Sequence, residues 1–100
     1  MSFLGSLFGS SIQYPKTEHP FSEIEIKKLV SPYNVNTLKQ SEAGLVEQAI
    51  ITRRRGDGKI SLQQIYETLT QLKNQNKISK QDRDGLMKDF VDFFQAHFSS

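Results

Sequence analysis

The sequence predicts an all-α fold, a compact bundle of about four helices, and three observations carry that prediction. Apolar residues recur three or four positions apart in four successive stretches. Three of these stretches open on one signal: an apolar residue, then a serine, then Glu, Gln or Asp three positions after the serine. No alternating apolar and polar run rich in β-branched residues stands out, so no strand is expected beyond a bridge at Ile60 or Ile78. A chain of 100 residues holds one domain with a modest core, and not two. Helices are expected at 22–31, 37–54, 61–73 and 79–97, joined by short loops in an orthogonal or up-and-down arrangement. Residues 21–98 form the domain, and residues 1–20 are a flexible or docking N-terminal segment.

That first segment carries no charge before Lys16. Phe3, Leu4, Leu7, Phe8 and Ile12 lie near helical spacing, while Gly5 and Gly9 each weaken a helix by about 1 kcal/mol relative to Ala. It lacks the basic start and long apolar core of a secretory signal, and the Met-Gly start of a myristoylation signal. Without basic neighbours it has no attraction for anionic lipid, so membrane contact through residues 1–13 ranks below docking on the body or on a partner. Residues 9–20, with Pro15 and Pro20, read as an irregular lead-in.

The first helix starts at Phe21-Ser22-Glu23-Ile24-Glu25-Ile26, a capping box with a hydrophobic staple. Ile26, Leu29 and Val30 form its stripe, and Pro32 ends it by pushing Ser31 out of the helical region. In the second helix Leu38, Leu45, Val46, Ala49 and Ile50 share a side, with Ile51 widening it. Arg53, Arg54 and Arg55 suit the negative end of its dipole, and Gly56 suits a left-handed stop. Ile60-Ser61-Leu62-Gln63-Gln64-Ile65 repeats the start signal, and Leu62, Ile65, Tyr66, Leu69 and Leu72 follow at helical spacing. Lys73-Asn74-Gln75-Asn76 stops that helix. Ile78-Ser79-Lys80-Gln81-Asp82 opens the last one, although Arg83 fills the staple position poorly. Leu86, Met87, Phe90, Val91, Phe94 and Phe98, with Phe93 beside them, give this helix the widest apolar face in the chain. Gly85 lies inside its first turns at some cost.

Composition excludes several functions. No cysteine means no disulfide and no thiolate metal site, and no run approaches 18 apolar residues. His19 and His97 are lone histidines, and no GxSxG, P-loop or GxGxxG motif occurs, so catalysis has little support. The charge is uneven. Residues 53–80 hold seven basic and two acidic side chains, whereas residues 81–100 hold two and four. A basic centre of this kind hints at an anionic partner.

Gly56-Asp57-Gly58-Lys59-Ile60-Ser61 resembles the second half of an EF-hand calcium loop, with Gly at the sixth position and an apolar residue at the eighth. The resemblance covers about 45–72 and sets the loop at 53–64. It implies a helix–loop–helix and, in intact members, calcium. The ligand positions depart from the family. Arg53 and Arg55 stand first and third, Gln64 stands twelfth in place of a bidentate Glu, and Asp57 alone keeps a ligand charge. Two guanidinium groups repel a divalent cation, so no metal and no cofactor is expected. EF-hands also bridge in pairs through the eighth position. Leu38 and Ile78 are the nearest partners for Ile60, but in an up-and-down bundle each lies a helix length away, about 20 Å, so that pairing is not expected. Asp82-Arg83-Asp84-Gly85 reads as first-turn acids favouring a helix N-terminus.

Arg53, Arg54, Arg55 and Lys59 are the candidate residues for an anion or an acidic partner surface. Nucleic acid is disfavoured. Lys73, Lys77 and Lys80 sit at the opposite end of the third helix from the arginines, and no aromatic residue is interleaved for stacking. Phe3, Phe8, Phe93 and Phe98 are the candidate docking residues for another protein or for a second copy of the chain. The function expected is a non-enzymatic interaction module of the cytoplasm. The alternatives are an EF-hand-related metal-responsive protein and a binder of anions or nucleic acid.

Overall fold

Serine and its partner three residues on set three of the four helix starts. In the computed structural model, which describes residues 14–98, the chain runs β1 (His19–Pro20), α1 (Glu23–Leu29), α2 (Gln40–Arg53), β2 (Lys59–Ile60), α3 (Leu62–Asn74) and α4 (Lys80–Phe98). The fold is an all-α bundle of four helices with one two-stranded bridge. At α1 the Ser22 hydroxyl accepts from Glu25 N at 3.1 Å while Ser22 N donates to Glu25 Oε1 at 3.0 Å. Ser61 and Gln64 repeat this at α3, both bonds 3.0 Å, and Ser79 with Asp82 repeats it at α4. The staples close as well: Phe21 with Ile26 and Ile60 with Ile65 are all buried. Arg83 fills its staple position better than its charge suggests. It is 7% exposed, with its guanidinium 5.2 Å from the centre of the Tyr66 ring and Nε 3.2 Å from Asp84.

The second helix starts later than the apolar spacing predicts, at Gln40 instead of residue 37. Thr37, a natural cap by type, donates its hydroxyl to the buried carboxylate of Asp82 on α4. Lys39 N instead donates to Glu42 Oε1 at 2.8 Å. Leu38 is therefore buried from a connector of turns, and Ala43, Val46 and Ile50 form the buried side of the helix. Leu45, expected on the inner side, is 45% exposed. Gly85 has a reason for its place: a Cβ there would stand 3.1 Å from Val35 Cγ1, so the glycine lets the connector lie against α4.

Two helix ends differ in kind. α3 stops in a Schellman motif, with Asn76 at φ 61°, its N–H donating to Lys73 O and the N–H of Lys77 to Leu72 O. α2 does not stop at a left-handed Gly56. Arg54 leaves the helix in an extended conformation, and the left-handed residue is Gly58, at φ 82°. The chain thus turns two residues later than expected, and that turn aims Lys59–Ile60 at β1.

Phe21, Ile26, Val46, Ile50, Ile60, Ile65, Leu69, Leu86 and Phe90 make the centre of the core. α4 packs along α3 and reaches α1, which closes the bundle. A radius of gyration of 13.2 Å matches the roughly 13 Å expected of a compact chain this long.

Candidate functional site

The last residue of α2, Arg53, and the connector to α3 hold every basic residue singled out for binding. Gly58 N–H donates to Arg55 O at 2.8 Å and Arg55 N–H to Lys59 O at 2.9 Å, so the turn closes on its own backbone. Asp57 Oδ1 accepts from Lys59 N at 3.2 Å, a short loop-side-chain turn that occupies the one carboxylate left in the segment. Gln64 is also occupied: Oε1 takes Ser61 N, and Nε2 donates to Glu18 at 3.1 Å.

The arginines face three different ways. Arg54, only 17% exposed at its side chain, donates from Nη1 to Phe21 O at 2.9 Å, with Glu23 3.6 Å from Nη2. Arg55 pairs with Glu18 at 2.8 Å. That bond holds the Glu18 carboxyl below its ordinary range, against the opposing effect of partial desolvation. Arg53 stands 3.9 Å from Glu67, both half-exposed, a weak pair. Among the described residues the Lys59 side chain has no ion-pair partner. The predicted cationic patch is thus divided, and two of its three arginines tie down residues 18–23.

Those ties make the lead-in part of the domain from Tyr14 on. His19 pairs with Ile60 and Pro20 with Lys59 in an antiparallel bridge. Phe21 N–H adds a bond to Gly58 O at 3.1 Å, and Gln63 N–H donates to Pro15 O at 3.1 Å. Tyr14 lies 5.1 Å from Tyr66, ring centre to ring centre, and its N–H donates to Gln63 Oε1. Ile60 is bridged, as its position allowed, but by His19 and not by Leu38 or Ile78. The expectation assigned no pairing to an irregular stretch. Proline-bounded residues 15–20 lack any strand pattern, which is why the sequence hid this contact.

The apolar docking candidates separate in the same way. Phe3 and Phe8 lie outside the described residues. Phe98 stacks under His19 with ring centres 4.2 Å apart and planes 7° from parallel, beside a shallow cavity of about 240 Å³ over Leu62 and Phe94. Phe93 is half-buried, 5.4 Å from the Phe21 ring and 4.0 Å from the His97 ring. It lines a groove of about 350 Å³ between α4 and the end of α1, with Leu29, Asn34, Asp89, Asp92, Ala96 and His97. Asn34 closes one end by donating to Lys28 O at 3.0 Å.

Asp89 and Asp92 were not among the sequence candidates. One oxygen of Asp89 is shut off from solvent and has no hydrogen-bond partner among the described residues. Burial pushes its carboxyl above the ordinary range; Lys88 opposes this and Asp92 adds to it. The acid excess after residue 80 was the available signal, but it does not say which acid turns toward the apolar side.

A divalent cation does not fit the connector. Two guanidinium side chains occupy its first and third positions, its carboxylate caps its own turn, and Gln64 caps α3. Among the described residues no three His, Cys, Asp or Glu side chains converge in a way that could hold a metal ion. No helix there is long and apolar enough to cross a membrane. Compared with family models, curated proteins and solved structures, the chain matches none.

Proposed function

We propose that the chain is a small non-enzymatic intracellular module that binds another protein, and that its EF-hand-like connector works as a structural joint without calcium. One observation carries this reading: the polar groups of the connector bond mainly to one another and to residues 18–23, while the groove beside Phe93 keeps an unsatisfied carboxylate and an open apolar floor. Gly58 in a left-handed conformation at the sixth position, and a bridged Ile60 at the eighth, support the likeness in shape to an EF-hand half. The ligand set supports a joint in place of a sensor. Neither lone histidine has an acid or nucleophile paired with it among the described residues, which fits a binding role.

Affinity capture from source cells with the full chain, each recovered protein then expressed alone and titrated calorimetrically, tests the reading. At least one saturable complex is expected, and none reconstituting would overturn it. The same capture without residues 1–13 decides whether Phe3 and Phe8 contribute. Titration with calcium, and separately with inorganic phosphate, to millimolar concentration should leave the amides of Asp57 and Arg53, Arg54 and Arg55 unmoved. Saturable shifts with calcium would replace the joint by a metal-responsive loop, and saturable shifts with phosphate by an anion site.

A further inference from the structure

The cavity beside His19 and residues 1–13 share one property: neither carries an Asp, Glu, Lys or Arg side chain. The groove beside Phe93 has Asp89 and Asp92, the hollow between α2 and α3 has Arg53, and the one along α3 has Glu67. Covering those walls with uncharged apolar chain would desolvate a charge without return, and covering this one does not. Leu62 and Phe94, 6% and 4% exposed, make its floor, and Pro15 and the stacked rings of His19 and Phe98 make its rim. Its volume of about 240 Å³ lies below the roughly 300–1,000 Å³ of small-molecule sites and suits one or two apolar side chains.

The place where residues 1–13 join the domain identifies the occupant. They meet it at Tyr14, which is held by its ring against Tyr66 and by its N–H to Gln63 Oε1. The next residue, Pro15, belongs to the cavity's own lining. Phe8 stands six positions before Tyr14, a reach of up to about 20 Å. Gly9, Ser10 and Ser11 lie between them and are residue types on which a chain reverses direction. Phe3, Leu4, Leu7 and Phe8 have the spacing that one side of a helical turn would gather. A tether this short keeps the segment at about millimolar effective concentration beside the cavity, an advantage that a free molecule lacks. We propose that residues 3–8 fold back over this cavity, with the Phe3 and Phe8 rings against Leu62, Phe94 and Phe98. The contact needs no partner protein, so it goes beyond the interaction-module reading and stands or falls separately from it.

The test uses the full chain with isotope-labelled rings and methyl groups. Nuclear Overhauser contacts are expected from the Phe3 and Phe8 rings to the Leu62 methyls and the Phe98 ring, within one molecule. Phe3→Ser with Phe8→Ser should shift the amides of Thr17, Leu62, Gln95 and Phe98 and leave those of Asn34 and Asp89 unmoved. A capped peptide of residues 1–13, added to that variant, should return the shifted amides saturably. It should bind the wild type about threefold more weakly or worse, because the tethered copy competes. In the double-serine background Gln95→Glu, at the exposed rim, should weaken the peptide by about fivefold, whereas Gln71→Glu, exposed on α3 and outside the lining, should not. Absence of ring contacts, shifts that map to another face, or a peptide that binds both chains alike overturns the proposal. Equal effects of the two glutamate variants remove the cavity from the contact and overturn it as well. Contacts that pass only between labelled and unlabelled chains in a mixed sample identify a second copy as the occupant, which overturns it too.

Discussion

The connector after α2 and the groove along α4 are two polar regions with opposite bonding. In the connector Arg54, Arg55 and Asp57, and at the start of α3 Gln64, each have a partner inside the chain. In the groove, Asp89 keeps an oxygen that nothing among the described residues satisfies. Formal charge pointed to the connector as the binding surface, whereas its side chains bond largely within the chain. A cluster of charges that spends itself on the fold stabilises the fold. A buried carboxylate oxygen without a donor costs stability and is an exception in a folded chain.

Phe21 joins the two regions, so its removal breaks the comparison most directly. Its ring packs on Phe90, Phe93 and Phe94, while its N–H and carbonyl both bond to the connector. Phe21→Ala should cost about 3–5 kcal/mol in urea unfolding, with amide exchange quickening at both Gly58 and Phe93. Quickening on one side alone would show that the regions are uncoupled. Arg54→Met, which keeps the stem and removes the donor to Phe21 O, should cost about 2 kcal/mol. It should leave the groove's amide shifts in place, since the bond it removes belongs to the connector.

Gly58 and Gly56 sharpen the comparison from within the loop. Gly58→Ala should lose about 1–2 kcal/mol, because its φ of 82° is strained for a residue with a Cβ. Gly56→Ala should be neutral or gain a few tenths, since open space surrounds its Cβ position and no left-handed angle is required. Paired thermal melts of the two variants read the difference. Equal losses would mean that the turn is not built around Gly58.

What the sequence made legible follows from the range of each interaction. Start signals are local, spanning three to five residues, and three of them are found as predicted. The starts of α1, α3 and α4 accordingly fall within a residue of expectation. The start of α2 does not, because Thr37 bonds to Asp82, 45 positions away. Leu45 was misplaced because it lies at the edge of the apolar stripe, and which edge turns inward is decided by the helices packed against it. The bridge of His19 to Ile60 and the partners of the three arginines are also long-range, and periodicity carries no trace of them. The groove was half visible. Phe93 could be singled out as an incompletely buried aromatic, but the orientation of Asp89 depends on where α1 ends.

Acid titration separates the two regions with the smallest perturbation. Glu18 is held below 4.5 by its bond to Arg55, so its contribution is present above the ordinary Glu range and is lost as pH falls through the depressed value. Asp89 is raised above 3.8 by burial. The stability linked to it is therefore fullest below that ordinary value and is lost as pH rises through the raised one. On acidification from neutrality the groove should relax first and the connector loosen afterwards. Thermal midpoints of wild type, Glu18→Gln and Asp89→Asn between pH 7 and pH 3 measure this. The advantage of Asp89→Asn should shrink as pH falls, because the wild-type carboxyl then takes up a proton of its own. The deficit of Glu18→Gln should hold at neutrality and vanish at the acid end, where Glu18 no longer carries the charge that Arg55 grips. Carbon-detected carboxyl titration of the wild type assigns each change to its residue. If both variants run parallel to the wild type throughout, neither carboxylate differs in the way that distinguishes a spent charge from an unspent one.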